Sequence, residues 1–385
     1  MAKMTQAMES NGTGGLALAE PTTAQQPPTP PVASVPVSQP VTPRIRRIYE
    51  QRPQAFGRRT PDPAEAPAFS LLAEVAVGHG PIGGIAVDSD SRVVVANSAY
   101  ASVSVVDPAT AAVDATLTGM VEPYALAADR GRAFVGAVSA AYDAVAVMDT
   151  VTGDLTTAHP VALSVRAIAV SPDGKRLFLG RSGAQGSDVA VMDAATGTLS
   201  AVSLPPAVLT VDHLALGPEG RLLYVAVSHP LGGDLVVIDT TTLQVVGGMR
   251  MDVLRGLSVS ADGRTIFAAT YDAVHGGSLM RIDAAGLAVR SVSVLAGPVT
   301  EVTMSRDGRR GYVVSDQVVA VVCTTTGERL ATLEVSGTPS CVIESRDGNQ
   351  LFVADYDGGL SIFAVASAAA RTRADVVDAD ATASV

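Results

Sequence analysis

The chain has 385 residues, of which 47% are hydrophobic and 17% charged; it contains 36 Gly, 23 Pro and no Trp, and its net charge is −11. Length leaves one large domain or two ordinary ones open, while sparse charge and abundant turn formers suit short buried strands joined by many turns. An acidic chain repels nucleic acid and anionic membrane, so neither is an expected partner.

Residues 1–68 hold seven basic and five acidic side chains and the run PTTAQQPPTPPVASVPVSQPVTP. So little clustered apolar surface cannot offset the entropy of ordering, which predicts a disordered arm with polyproline II character. Within it RIRRIYEQRPQAFGRR, residues 44–59, is the one basic segment. It reads either as a solvated linker or as a short docking motif for a partner or an acidic surface. The N-terminus lacks the apolar core of a secretory signal, and no run of about 18 apolar residues occurs, so the default expectation is a cytoplasmic protein without a transmembrane segment. Lys occurs only at Lys3 and Lys175 while Arg, Ala and Val are abundant. That usage suggests a high-GC, actinobacterial genome.

From Phe69 to Ala366 the sequence repeats. Each unit has a short strand, a turn such as SPDG in VSPDGKRLFLG (170–180), a second strand, a variable loop, a third strand and a fourth. Third strands recur as VSVVDPAT (103–110), VAVMDTVTG (145–153), VAVMDAATG (189–197), LVVIDTTT (235–242), LMRIDAAG (279–286), VAVVCTTTG (319–327) and LSIFAVA (360–366), about 40–46 residues apart. Their continuous apolar character predicts strands covered on both faces. In the turn, Pro presets φ, Asp bonds the backbone that follows it, and Gly accepts a positive φ, so the recurring PDG reads as hairpin chemistry.

Seven four-stranded antiparallel units at this period predict an all-β, seven-bladed β-propeller over residues 69–366. The first complete unit is preceded by FSLLAEVAVG (69–78), which reads as a fourth strand, and the last unit stops after its third. Residues 70–77 are therefore expected to pair with 359–365 and close the ring. Residues 367–385, small and acidic, are expected to form a flexible tail.

The stretches GPIGGIAVDSDSRVVVANSAYASVSVVDPATAAV (80–113), EPYALAADRGRAFVGAVSAAYDAVAVMDTVTGDL (122–155) and VRAIAVSPDGKRLFLGRSGAQGSDVAVMDAATGTL (165–199) resemble the repeat of the YVTN, or YncE-like, seven-bladed propellers, a group also labelled surface-layer-type or lactonase-like. The resemblance implies the fold. It also implies either a binding or scaffold role in a stress or envelope response, with envelope association, or a lactonase-like hydrolase.

Ligands of such propellers gather at the channel end where the fourth-to-first and second-to-third strand loops meet. Aligning the repeats places two series of residues there. Before the first strand's apolar core stand Gly83, Tyr124, Arg166, Asp212, Arg255, Thr300 and Ser340; at the end of the second strand stand Asn97, Ala137, Arg181, Val227, Thr270, Ser315 and Asp355. A fastener would be alike in every blade, so these non-repeating positions are where function is sought. The candidate ligand-binding residues are Tyr124, Arg166, Arg181, Asp212, Arg255, Glu301 and Asp355. The guanidinium groups suit a carboxylate or phosphate, unless Arg166, Asp212 and Arg255 simply pair with one another. Second-to-third loops are long in blades two to five (VSAAYDA, SGAQGSD, SHPLGGD, YDAVHGGS) and short in blade six (SDQ), which predicts a walled mouth with a notch.

His79, His213, His229 and His275, with Asp212 and Asp272, have no HxH or HxxxH spacing, so no metal is expected. Cys323 and Cys341 are expected as buried free thiols. There is no GxSxG elbow for a nucleophile, and quinoprotein docking needs Trp, so no catalytic residue and no cofactor is assigned. The leading expectation is a monomeric, non-enzymatic propeller that binds a protein partner or a small anionic ligand at its channel mouth. The alternative is a lactonase-like hydrolase at the same mouth.

Overall fold

A computed structural model describes residues 68–138, 143–184, 186–205, 207–272, 276–295, 297–315 and 317–366. The arm, the segment 44–59 and the tail lie outside them. Every described element longer than a turn is a β-strand, and the strands form seven four-stranded antiparallel sheets. Blade one runs from Ile82–Val87 to Ala112–Thr118, and blades two to six follow in chain order with the same simple meander. The first strand of each blade is the inner one, since first strands of neighbouring blades lie against each other around the ring.

Blade seven is made from both ends of the repeat region. Strands Pro339–Glu344, Gln350–Asp355 and Gly359–Ala366 come from the C-terminal side, and Ala68–Ala76 supplies the outer strand. The register runs from Ala68 opposite Ala366 to Ala76 opposite Gly359, with one bulge at Leu72. The closure expected between 70–77 and 359–365 is therefore present, and it reaches two residues further toward the N-terminus.

The turns show why the repeat is so regular. Asp173 Oδ1 accepts the Lys175 backbone N–H at 3.1 Å and the Ser171 hydroxyl at 2.6 Å, while the Ser171 hydroxyl oxygen accepts the Arg176 N–H at 2.9 Å. Gly174 takes φ +68°, open to Gly and strained for most side chains. The same Ser–Asp clasp recurs at Ser260/Asp262, Ser305/Asp307 and Ser345/Asp347. In blade one the clasp is altered: Asp88 accepts the N–H groups of Asp90 and Arg92, and Ser91 takes the left-handed place of the glycine at φ +65°.

Aspartates ending the third strands fasten the other turn at the same face. Asp149 Oδ1 accepts the N–H groups of Val151 and Thr152, and Asp193 and Asp239 repeat the pattern. Cys323 stands at this place in blade six and closes the same backbone turn. It is half-buried, unlike Cys341, so the expectation of two buried thiols holds for Cys341 alone. Turn geometry puts Cys323 at the surface end of its strand, where the aspartates sit.

Apolar residues on second and third strands make a separate core between each pair of neighbouring blades. One such cluster joins Val75, Phe352, Leu360 and Ile362 of blade seven to Ile82, Val93, Val95 and Val106 of blade one. The strands are apolar on both faces because each face meets a different neighbour.

The predicted wall of loops takes another form. In blades three and four the hairpins continue as strand, Arg176–Gly183 with Gly186–Asp193 and Leu222–His229 with Gly232–Asp239, against six-residue partners Arg310–Ser315 and Val318–Cys323 in blade six. Two extra residues per strand extend the ladder, because backbone groups in a hairpin satisfy one another better than in an open loop. The tips of the blade-two and blade-five hairpins, with His275, lie outside the described residues.

Candidate functional site

The mouth of the channel is built on a ring of β-bulges. Pairing between the first and second strands slips between Ile82 and Gly84, Val165 and Ala167, Val211 and His213, Leu254 and Gly256, Val299 and Glu301, and Pro339 and Cys341. The residues left unpaired are Gly83, Arg166, Asp212, Arg255, Thr300 and Ser340, which is the first series aligned from sequence. In blade two Tyr124 holds the same place, donating its N–H to the Gly136 carbonyl. A bulge re-aims one side chain while leaving the ladder intact on either side. Repeated round the ring, with Tyr124 in the matching place, it points Tyr124, Arg166, Asp212, Arg255, Thr300 and Ser340 into one cavity of about 860 Å3 whose seventh place is Gly83.

Five of the seven candidate residues line that cavity: Tyr124, Arg166, Asp212, Arg255 and Glu301. The Arg166 guanidinium lies over the Tyr124 ring, 5.9 Å from its centroid. Asp212 accepts hydrogen bonds from the hydroxyls of Thr210 and Ser228. Among the described residues neither Arg166 nor Arg255 makes an ion pair with a carboxylate. The self-neutralising Arg166–Asp212–Arg255 network weighed from sequence is therefore absent: Asp212 is held by hydroxyls of its own blade. Both arginines are exposed to the channel.

Arg181 and Asp355 are not brought to the mouth. The second series lies beneath the hairpins, and most of it is buried. Arg181 makes a bidentate pair with Asp188, 2.9 Å from Nε to Oδ1 and 2.8 Å from Nη2 to Oδ2, directly across its hairpin. Asp355 Oδ1 caps the following turn by accepting the N–H groups of Asp357 and Gly359 at 2.9 and 2.7 Å. Both correct the sequence expectation, and both left a local signal: Arg181 and Asp188 flank one hairpin symmetrically, and DYDGG is an Asx-turn sequence.

Lining residues outside the candidate set include His213, Cys341 and Tyr356. His213 and Cys341 occupy the position just after the bulge, as Glu301 does, and Tyr356 follows the capped turn of blade seven. Burial of the Glu301 carboxyl pushes its pKa up to about 7, against the pull of hydrogen bonds with the Val342 backbone and the Cys341 side chain. Burial likewise pushes the Cys341 thiol well above its ordinary value, and Glu301 beside it adds to the shift. His213 moves down, again by burial, with Asp212 and the Arg255 backbone opposing. The Tyr356 hydroxyl is raised by burial and by Cys341, Tyr124 and Glu301.

Among the described residues, His79 and His229 do not line this cavity. His79 stacks at an angle near Tyr100, with ring centroids 5.8 Å apart, and His229 Nε2 lies 3.3 Å from Asp234. No group of three His, Cys, Asp or Glu side chains among the described residues is disposed to hold a metal ion. No helix among them is long and apolar enough to cross a membrane.

No family model matches the chain. It is 38% identical over 336 residues, covering 77% of this chain and 85% of the other, to the seven-bladed beta-propeller protein Rv1057 of Mycobacterium tuberculosis (strain ATCC 25618 / H37Rv). Among solved structures it is similar to Kuenenia stuttgartiensis hydrazine synthase, with a TM-score of 0.67, 18% identity, and coverage of 75% of this chain and 97% of that one. At that identity the likeness speaks for the fold alone. Seven meandering blades, a ring closed by the N-terminal strand and the extent of the mycobacterial match place the chain in the family of seven-bladed β-propeller proteins.

Proposed function

We propose that this propeller is a non-enzymatic binding protein whose channel mouth takes a small anionic ligand. The observation that carries the reading is the contrast among its arginines. Arg181, Arg310 and Arg346 each pair with a carboxylate, whereas Arg166 and Arg255 face the cavity without one among the described residues. Two guanidinium groups in one cavity suit a carboxylate, phosphate or sulfate, which they can grip through paired N–H donors. Thr300, Ser340 and Tyr124 add hydroxyls that orient such a ligand. A ligand-responsive propeller fits the stress or envelope role that the YncE-like resemblance implies.

A hydrolase at this mouth would use Glu301, Asp212 and a histidine gathered round one point; among the described residues no group of three His, Cys, Asp or Glu side chains is disposed to hold a metal ion. The test is calorimetric titration and thermal shift with sulfate, phosphate and small carboxylates at fixed ionic strength. At least one anion should bind, and Arg166→Ala combined with Arg255→Ala should abolish it. Binding that survives the double substitution, or no binding by any of these anions, overturns the assignment.

A further inference from the structure

Below the bulge ring lies a second ring, one residue further along each inner strand: Gly84, Ala125, Ala167, His213, Gly256, Glu301 and Cys341. Most are Gly or Ala because the neighbouring backbone leaves no room. A Cβ at Gly84 would lie 2.8 Å from the Tyr124 carbonyl oxygen, and one at Gly256 would lie 2.6 Å from the Val302 nitrogen. A carboxyl in this ring is therefore pressed against the next blade, and Glu301 interacts with the Val342 backbone and the Cys341 side chain there.

The groups facing Glu301 offer no counter-charge at ion-pair distance among the described residues. From blade seven come Cys341, Ser340 and Tyr356; from blade five, Arg255 beside Gly256; across the channel stand Tyr124, Arg166, Asp212 and His213. Ser340 is 7% exposed, and its buried hydroxyl has no hydrogen-bond partner of good geometry among the described residues. Glu301 thus shares one cavity with the two arginines while lacking a cation of its own, and its carboxyl is divided between its two forms near neutral pH.

We propose that an anion entering this channel binds together with one proton, taken from solvent onto the Glu301 carboxylate, so that a neutral carboxyl lines the site where a carboxylate would repel the ligand. The inference rests on the anion-binding reading of Arg166 and Arg255. Its physical basis is mutual: a negative ligand favours the neutral carboxyl, and by linkage the neutral carboxyl favours the ligand. The neutral form also gains an O–H donor, usable by the ligand directly or through Ser340.

Sulfate is a suitable probe, because it stays a dianion across the range of interest. Its binding is measured by calorimetry between pH 5.5 and 8.5, in pairs of buffers with different ionisation enthalpies, at constant ionic strength. Uptake approaching one proton is expected above pH 7, with affinity falling toward tenfold per pH unit there and levelling off below pH 6. Glu301→Gln should bind sulfate with no uptake by that side chain and a nearly flat pH profile. Wild-type binding without proton uptake overturns the coupling and leaves the anion site standing. Uptake that persists in Glu301→Gln and disappears in His213→Asn also overturns it. Failure of sulfate to bind at any pH overturns the coupling and counts against the anion site itself. Should Glu301→Gln not fold, the 13C carboxyl titration of Glu301 in the wild type decides: its midpoint must rise when sulfate is added, and an unmoved midpoint refutes the proposal.

Discussion

Truncating Val75 to Ala tests whether the strand before the repeats is integral to the ring. Val75 is 6% exposed, lies opposite Leu360, and belongs to the cluster shared by blades seven and one. Losing two buried methyl groups costs about 1.6 kcal/mol in transfer free energy, and the residual cavity brings the total to about 1.8–2.5 kcal/mol. For a ring of roughly 300 residues melting as one unit, an unfolding entropy of about 0.6 kcal/mol/K converts this to a fall of about 2–4 °C in Tm. The control is Leu72→Ala on the same strand: Leu72 is larger but 56% exposed and sits at the bulge, so its cost should stay within about 0.5 kcal/mol. Differential scanning calorimetry reads both. Removing residues 1–66 should leave Tm where it is, while removing 1–78 strips the cover from Leu360 and Ile362 and should lower Tm several times more than Val75→Ala. Equal costs at Val75 and Leu72, or equal melting of the two truncations, would refute a closure that depends on this strand.

Tyr312→Phe removes a fully buried hydroxyl that donates to Glu344 Oε1 at 2.7 Å; Arg310 Nη2 donates to the same oxygen and the Arg306 N–H to Oε2. A hydrogen bond to a charged group is worth about 1.5–3 kcal/mol, so urea denaturation should show a loss of that size, and a loss below about 0.5 kcal/mol would contradict the geometry. Cys323→Asp restores the carboxylate that other blades place at this turn and should stabilise by about 0.5–1.5 kcal/mol, read as a raised Tm; destabilisation would mean the turn has adapted to the thiol. Acid should weaken the fold through its turns. Hydrogen bonds from the turn serines hold the carboxyls of Asp173, Asp262 and Asp347 below the ordinary range, and backbone N–H groups do the same for Asp193, Asp239 and Asp283. With folded values below unfolded ones, their stabilisation is complete above about pH 5 and is lost as pH falls through the folded values. The urea midpoint should therefore drop between pH 5 and pH 2, and the combined Asp173→Asn and Asp262→Asn variant should show a shallower drop.

The blade pattern was legible because its causes are local. Alternating and continuous apolar runs, Ser-x-Asp-Gly turns and a terminal Asp on the third strands of blades one to five are each satisfied within about ten residues, and their repetition exposes both the count of seven and the missing fourth strand. The places on the bulge ring are legible too, since aligning the blades puts Arg166, Asp212 and Arg255 in one series. The second series misled for the opposite reason. Arg181 and Asp355 look like free polar groups at strand ends, but Asp188 and the 355–359 turn consume them.

An all-β ring of seven blades, the strand that closes it and the positions whose side chains vary without repeating can all be read along the chain. Which of those positions share a cavity, that Arg166 and Arg255 face it without a carboxylate partner among the described residues, and that Glu301 meets Cys341 across a blade boundary follow only from the assembled blades. Residues about 40 apart in the chain become neighbours only when the inner strands gather round one axis. Burial, which moves the Glu301 carboxyl toward neutral pH and the His213 imidazole down, arises from that gathering and from nothing local to either residue.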